Sequence, residues 1–175
     1  MLKKILIILF VVSVIIFAIY FFNYNQLQSK MNYVVNNDSR NDGIVVNVHF
    51  GGYLQKSILE YNLKSISSNK SKADVFRVFL QFSEEMKENS FKQIYLSFRG
   101  NKKFIINGDY FNTLGKEYSF QNPIYIMRTF PENLKKLDGQ NAYPEWTGGL
   151  LGVSNKQLED FDDFHNNWYF NDLIK

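Results

Sequence analysis

The sequence predicts an α+β domain carried on an N-terminal transmembrane helix. Three observations lead there: a long apolar block near the start, segments of two-residue alternation beyond it, and amphipathic helical patterns among those segments. The domain is expected to hold a small antiparallel sheet with helices packed on one face.

The apolar block runs from Ile5 to Phe22, with Ser13 the only polar residue among 18. Eighteen residues at a rise of about 1.5 Å span roughly 27 Å, close to the hydrocarbon thickness of a bilayer. Fifteen of them are Ile, Leu, Val or Phe. At about −0.3 to −0.6 kcal/mol each, their insertion gains on the order of 5–9 kcal/mol. Lys3 and Lys4 precede the block and the next charge is Lys30, a bias that places the N-terminus in the cytoplasm. The competing reading is a cleaved signal peptide, whose apolar core is shorter and ends in a small-x-small site. Here Phe21, Phe22, Asn23 and Tyr24 follow, all of them bulky. The expected arrangement is an anchor over residues 1–22, a polar tether over 23–42 and an extracytoplasmic domain over 43–175. In a Gram-negative cell that domain would be periplasmic.

Composition narrows the chemistry. The chain of 175 residues has 20 Lys+Arg and 17 Asp+Glu, but from Asn23 onward the numbers are 18 and 17. The excess charge sits at the N-terminus and describes topology rather than a ligand. A near-neutral domain with only isolated lysine pairs speaks against nucleic acid. The absence of cysteine excludes disulfide frameworks, thiolate metal sites and cysteine nucleophiles.

Elements follow in order. In the tether, Leu27, Met31 and Val34 recur at spacings of four and three, enough to continue a helix for a few turns. Ile44, Val46, Val48 and Phe50 alternate with polar positions and predict a strand that Gly51-Gly52 ends. Leu54, Ile58 and Tyr61 fit a helix over 53–66. Ser71 with Asp74 resembles a capping box, and Val75, Phe79, Phe82 and Met86 then predict an amphipathic helix ending near Asn89. Gln93 to Phe98 and Phe104 to Ile106 predict a hairpin whose Gly100-Asn101 pair suits a type II′ turn. Asp109 could cap a short helix closed by Gly115. Asn122-Pro123 opens a segment ending at Pro131, which spacing leaves as helix or strand. Ser154 with Gln157 reads as a capping box, with Val153 and Leu158 as its hydrophobic staple, for a last helix lined by Leu158, Phe161, Phe164 or His165, and Trp168.

Few motifs carry chemistry. His49 and His165 are the only histidines, and no paired-histidine metal spacing occurs. Glu159, Asp160, Asp162 and Asp163 cluster on a helix without a calcium-loop glycine, and read as a solvated face. Residues 146–152, Trp-Thr-Gly-Gly-Leu-Leu-Gly, are the most unusual stretch. Glycines running into a helix start can offer backbone N–H groups to an anion, but the phosphate-loop lysine is missing. The favoured reading is a tight crossing loop in which glycine lets the chain pass close to another element. A partner-binding loop is the functional alternative. Candidate binding residues are therefore Arg128, Glu145, Trp146, Gly148, Gly149 and His165. No catalytic residue, metal ligand or cofactor is assigned.

These features favour a single-pass membrane protein whose domain is a non-catalytic binding or accessory module for an envelope protein. A membrane-tethered hydrolase built on Glu145, Trp146 and the glycine loop, with His165 or Arg128, is the second reading. A protective binder of a toxic envelope enzyme is the third.

Overall fold

A computed structural model describes residues 2–174. The chain begins with α1 (Leu2–Asn23), a π-helical turn (Tyr24–Gln28) and α2 (Ser29–Asn37), which together form one continuous helix. Its first half is long and apolar enough to cross a membrane. Large side chains on every side of that half stand free, with Leu6 56%, Phe10 68% and Ile16 62% exposed, unlike a helix of a protein core. The second half differs from the expected tether. Leu27, Met31 and Val34 are buried in the domain core, because their spacing forms one apolar stripe that a flexible linker would leave in water.

The domain that follows is α+β. Strands β1 (Ile44–Gly51), β2 (Gln55–Ile66), β3 (Gln93–Phe98), β4 (Asn101–Asn107) and β5 (Leu134–Lys135) lie side by side in chain order. The sheet is mixed rather than antiparallel, because β2 and β3 run parallel. Their connection is α3 (Lys72–Glu85), and a helical crossover returns the chain to the same end of the sheet. Val48, Tyr61, Leu96 and Phe104 lie in register on one face, where the helices cover them. Glu60, Tyr95 and Lys102 gather on the other, with the ammonium 3.2 Å from the carboxylate and 3.9 Å from the ring centre.

The helix expected over 53–66 is β2. Leu59, Tyr61 and Leu63 are fully buried and alternate with Glu60, Asn62 and Lys64, a period of two that the coincidental spacing of Leu54, Ile58 and Tyr61 masked. Leu54, counted as a core position of that helix, is 69% exposed at the preceding turn.

The outer edge of β1 is closed by two side-chain amides from the N-terminal helix. Phe50 N–H donates to Asn23 Oδ1 at 2.8 Å, and Asn23 Nδ2 donates to the Tyr53 carbonyl at 2.8 Å. Val48 N–H donates to Gln28 Oε1 at 2.8 Å, while Gln28 Nε2 donates to the Val46 carbonyl at 3.1 Å. The helix thus occupies an edge that would otherwise invite another strand. Asn23→Ala leaves the Phe50 N–H and the Tyr53 carbonyl without partners. It is expected to cost about 1–3 kcal/mol, seen as a lower denaturant midpoint of the full chain in detergent micelles.

The capping box of α3 forms as expected: Asp74 N–H donates to Ser71 Oγ and Ser71 N–H to Asp74 Oδ2. Between β3 and β4 the loop residues are Arg99 and Gly100, both at positive φ (49° and 89°), so the turn is type I′ rather than II′. Asn101 pairs with Phe98 and belongs to β4. In α4 (Gly108–Glu117) the N-cap is Asn107, not Asp109, and Gly115 lies inside the helix. A Cβ on Gly115 would fall 2.1 Å from the Ser83 carbonyl oxygen, so this glycine permits the close crossing of α3 and α4. Asn122 caps and Pro123 opens α5 (Pro123–Thr129), resolving that segment as helix. The last helix, α6 (Leu150–His165), starts four residues before the expected cap. Gly149 is its N-cap, which places Ser154 within the helix and removes the box and the staple. A π-helical turn (Asn166–Phe170) and α7 (Asn171–Leu173) complete the chain.

Candidate binding site

The residues singled out along the sequence fall into three environments. Arg128 and Trp146 both dock on α6. Arg128 Nε donates to Gln157 Oε1 at 3.0 Å, and Gln157 Nε2 passes the interaction to Glu132 Oε1 at 2.6 Å. Trp146 Nε1 donates to Asp160 Oδ2 at 2.7 Å, with the Lys156 ammonium 6.0 Å from its ring centre. Glu145 is exposed beside it.

Gly148 and Gly149 form the second environment. Both are exposed, and a Cβ on either would meet no atom within 4 Å. The crossing-loop expectation is therefore corrected: among the described residues no other element crowds the Cβ position of these glycines. Gly148 instead serves its own backbone, at φ 132°, where a side chain would be strained.

His165 makes the third. It is 0% exposed, and neither ring nitrogen has a hydrogen-bond partner among the described residues. Phe161 and Phe164 lie with ring centres at 4.6 and 4.7 Å, Tyr169 at 5.5 Å and Phe76 at 6.2 Å. Burial among these rings disfavours the charged imidazolium and pushes the pKa down to about 3, with Lys72 adding to the effect and Asp162 opposing it. A side chain so enclosed shares no substrate with the exposed glycine loop. His49 sits at the sheet edge, its ring stacked 4.1 Å from that of Tyr53 and its Nδ1 2.8 Å from the Phe50 carbonyl.

The acidic residues of α6 are engaged one by one. Asp160 receives Trp146, Asp163 receives Tyr143 and Asn167, Glu159 pairs with Lys156, and Asp162 pairs with Lys72. The Lys72 ammonium holds the Asp162 carboxyl below its ordinary pKa.

A surface that sequence reasoning missed lies where α4 passes into α5. Phe120, Ile124 and Tyr125 are 73%, 60% and 50% exposed. Their chain neighbours Gln121, Pro123, Ile126 and Met127, with Phe76 and Leu80 of α3, line a groove of about 300 Å³ between α3 and α5. Arg40 and Arg77 stand at its rim but are already committed. Arg40 donates to both oxygens of Asp38, and Arg77 to Asp74 at 2.7 Å and to the Arg40 carbonyl at 2.9 Å. Bonds from Ser71, then Arg77, hold the Asp74 carboxyl down at about 2. The groove therefore offers apolar surface more than free charge. The one signal in the sequence was a phenylalanine, Phe120, set between Ser119 and Gln121 in a polar turn.

The chain matches no protein-family model, and no curated protein or solved structure is similar enough to count as a match.

Proposed function

We propose that this protein is a single-pass membrane protein whose α+β domain is a non-catalytic binding module for an envelope protein. The apolar half of the N-terminal helix is the anchor, Lys3 and Lys4 remain cytoplasmic, and the domain lies across the membrane. The observation that carries the binding role is the exposed trio Phe120, Ile124 and Tyr125 beside the α3–α5 groove. Three large apolar side chains within six residues of chain cost solubility unless a partner covers them. Aromatic anchors set beside an apolar cleft are what protein interfaces use. The tethered-hydrolase reading is less well supported, since the histidine it drew on is enclosed by aromatic rings.

A photo-crosslinking residue in place of Ile124 in native membranes tests this reading. The expected result is one discrete adduct with another envelope protein, lost when Phe120→Asp and Tyr125→Asp are introduced together. Both positions are surface residues, so the denaturant midpoint should change little, within about 0.5 kcal/mol each. Adducts with lipid alone, or an adduct indifferent to the two aspartates, would overturn the reading. The identity of the captured protein separates a structural partner from a toxic enzyme held in check.

A further inference from the structure

We propose that the turn between β1 and β2 enters the apolar layer of the membrane beside the anchor helix, making a second bilayer contact through Tyr53 and Leu54. The inference rests on the anchor reading above and extends it to a part of the domain. Residues Gly52, Tyr53 and Leu54 lie alongside Ile16, Ile19 and Tyr20, and the two segments enclose an apolar groove of about 300 Å³. Those helix residues belong to the apolar block, not to its polar continuation. Phe22 ends the block, and at about 1.5 Å per residue Ile16 lies roughly 9 Å deeper. A helix inserted to Phe22 therefore carries the turn into the membrane with it.

The side chains suit that place. Leu54 is 69% and Tyr53 41% exposed, although both belong to the folded domain. Leucine fits the acyl region, and tyrosine sits well at the headgroup boundary. The first charge after the turn, Lys56, places its ammonium 4.5 Å from the ring centre of Phe22, at the end of the apolar block, where a lysine can reach the headgroups.

The backbone is equally prepared. Unpaired N–H groups are costly in hydrocarbon, and those of Gly52, Tyr53 and Leu54 are all paired. Tyr53 N–H donates to the Phe50 carbonyl at 2.7 Å and Leu54 N–H to the Gly51 carbonyl at 3.2 Å. Gly52 N–H reaches Glu60 Oε1 at 3.3 Å, and the Tyr53 carbonyl accepts from Asn23 at 2.8 Å. The same Asn23 contact fixes the height of the turn against the helix. The occupant of the groove is accordingly an acyl chain of the surrounding bilayer.

The natural absence of cysteine makes the test clean. Full-length Leu54→Cys, Phe10→Cys and Phe120→Cys are each labelled with an environment-sensitive fluorophore. They are reconstituted into phosphatidylcholine–phosphatidylglycerol vesicles containing lipids with a nitroxide quencher near the headgroup or near the bilayer centre. The Leu54 label is expected to lose most of its emission to the shallow quencher, and the Phe10 label to the deep one. The Phe120 label should lose almost none to either. Tyr53→Cys supplies an independent second position with the same expectation as Leu54. Quenching at Phe10 with none at Leu54 or Tyr53 would overturn the proposal while leaving the anchor intact. Absence of quenching at Phe10 would overturn the anchor, and the proposal with it.

Discussion

His165→Phe is expected to stabilise the protein and to flatten its response to mild acid. The imidazole is fully enclosed, with two nitrogens that find no partner among the surrounding rings. A buried unsatisfied polar group costs about 1–3 kcal/mol, and a phenyl ring of similar shape removes that cost. The pH effect has a definite sign. In the unfolded chain the histidine titrates near its ordinary 6.5, whereas in the folded protein burial lowers that value to about 3. Above pH 6.5 both states are neutral and the group contributes no pH dependence. As pH falls below 6.5 only the unfolded chain takes up the proton, so stability declines until the folded pKa is reached. At about 1.4 kcal/mol per unit, the full loss is on the order of 5 kcal/mol. Denaturant midpoints of the full chain in detergent should fall for the native protein between pH 6.5 and about 4.5, above the ordinary carboxylate range, and stay level for the variant. Parallel slopes for the two would show that another group sets the acid limb.

The largest loss from a single side chain is expected at Trp168. Its ring is fully buried, stacked on Phe164 at 5.3 Å and close to Tyr61 at 6.0 Å. Its Nε1 donates to the Ser97 carbonyl at 3.2 Å, where β3 and β4 slip register between Leu96 and Ser97. The indole therefore fills the space between sheet and final helix and also satisfies a carbonyl beside an irregular pairing. Trp168→Ala should cost about 3–5 kcal/mol through the cavity alone. Trp168→Phe keeps most of the apolar contact but loses the hydrogen bond, and should cost clearly less. Equal losses for the two variants would indicate that the hydrogen bond, not the packing, carries the stability.

Local signals were legible where a single contact decides the structure. The Ser71–Asp74 box placed the start of α3, and Asn122-Pro123 supplied the cap of α5, because those bonds lie within a few residues of chain. The alternation from Ile44 to Phe50 placed β1 for the same reason. Non-local causes misled the reading elsewhere. Segment 53–66 holds residues at both helical and strand spacing, and only its pairing with β1 and β3 selects the strand. Leu27, Met31 and Val34 looked too sparse for a packed helix, since the sheet that receives them lies further along the chain. α6 begins at Leu150, ahead of the Ser154 cap signal, because Gly149 already takes the extended backbone of an N-cap. Of the candidate residues, Arg128 and Trp146 are partly buried and hydrogen-bonded on α6, while His165 faces wholly inward. Phe120, Ile124 and Tyr125 were invisible as a surface, because exposure is a property of the assembled fold.

The proposed topology rests on the membrane anchor and on the side of the bilayer where the domain lies. Single cysteines in place of Lys4 and Leu137, the latter 53% exposed on the domain surface, report this directly in intact protoplasts treated with a membrane-impermeant maleimide. The expected result is labelling at Leu137→Cys without permeabilisation and at Lys4→Cys only after it, with the full-length chain resisting alkaline extraction from the membrane. Labelling at position 4 with protection at 137, or release of the chain into the soluble fraction, would contradict the account.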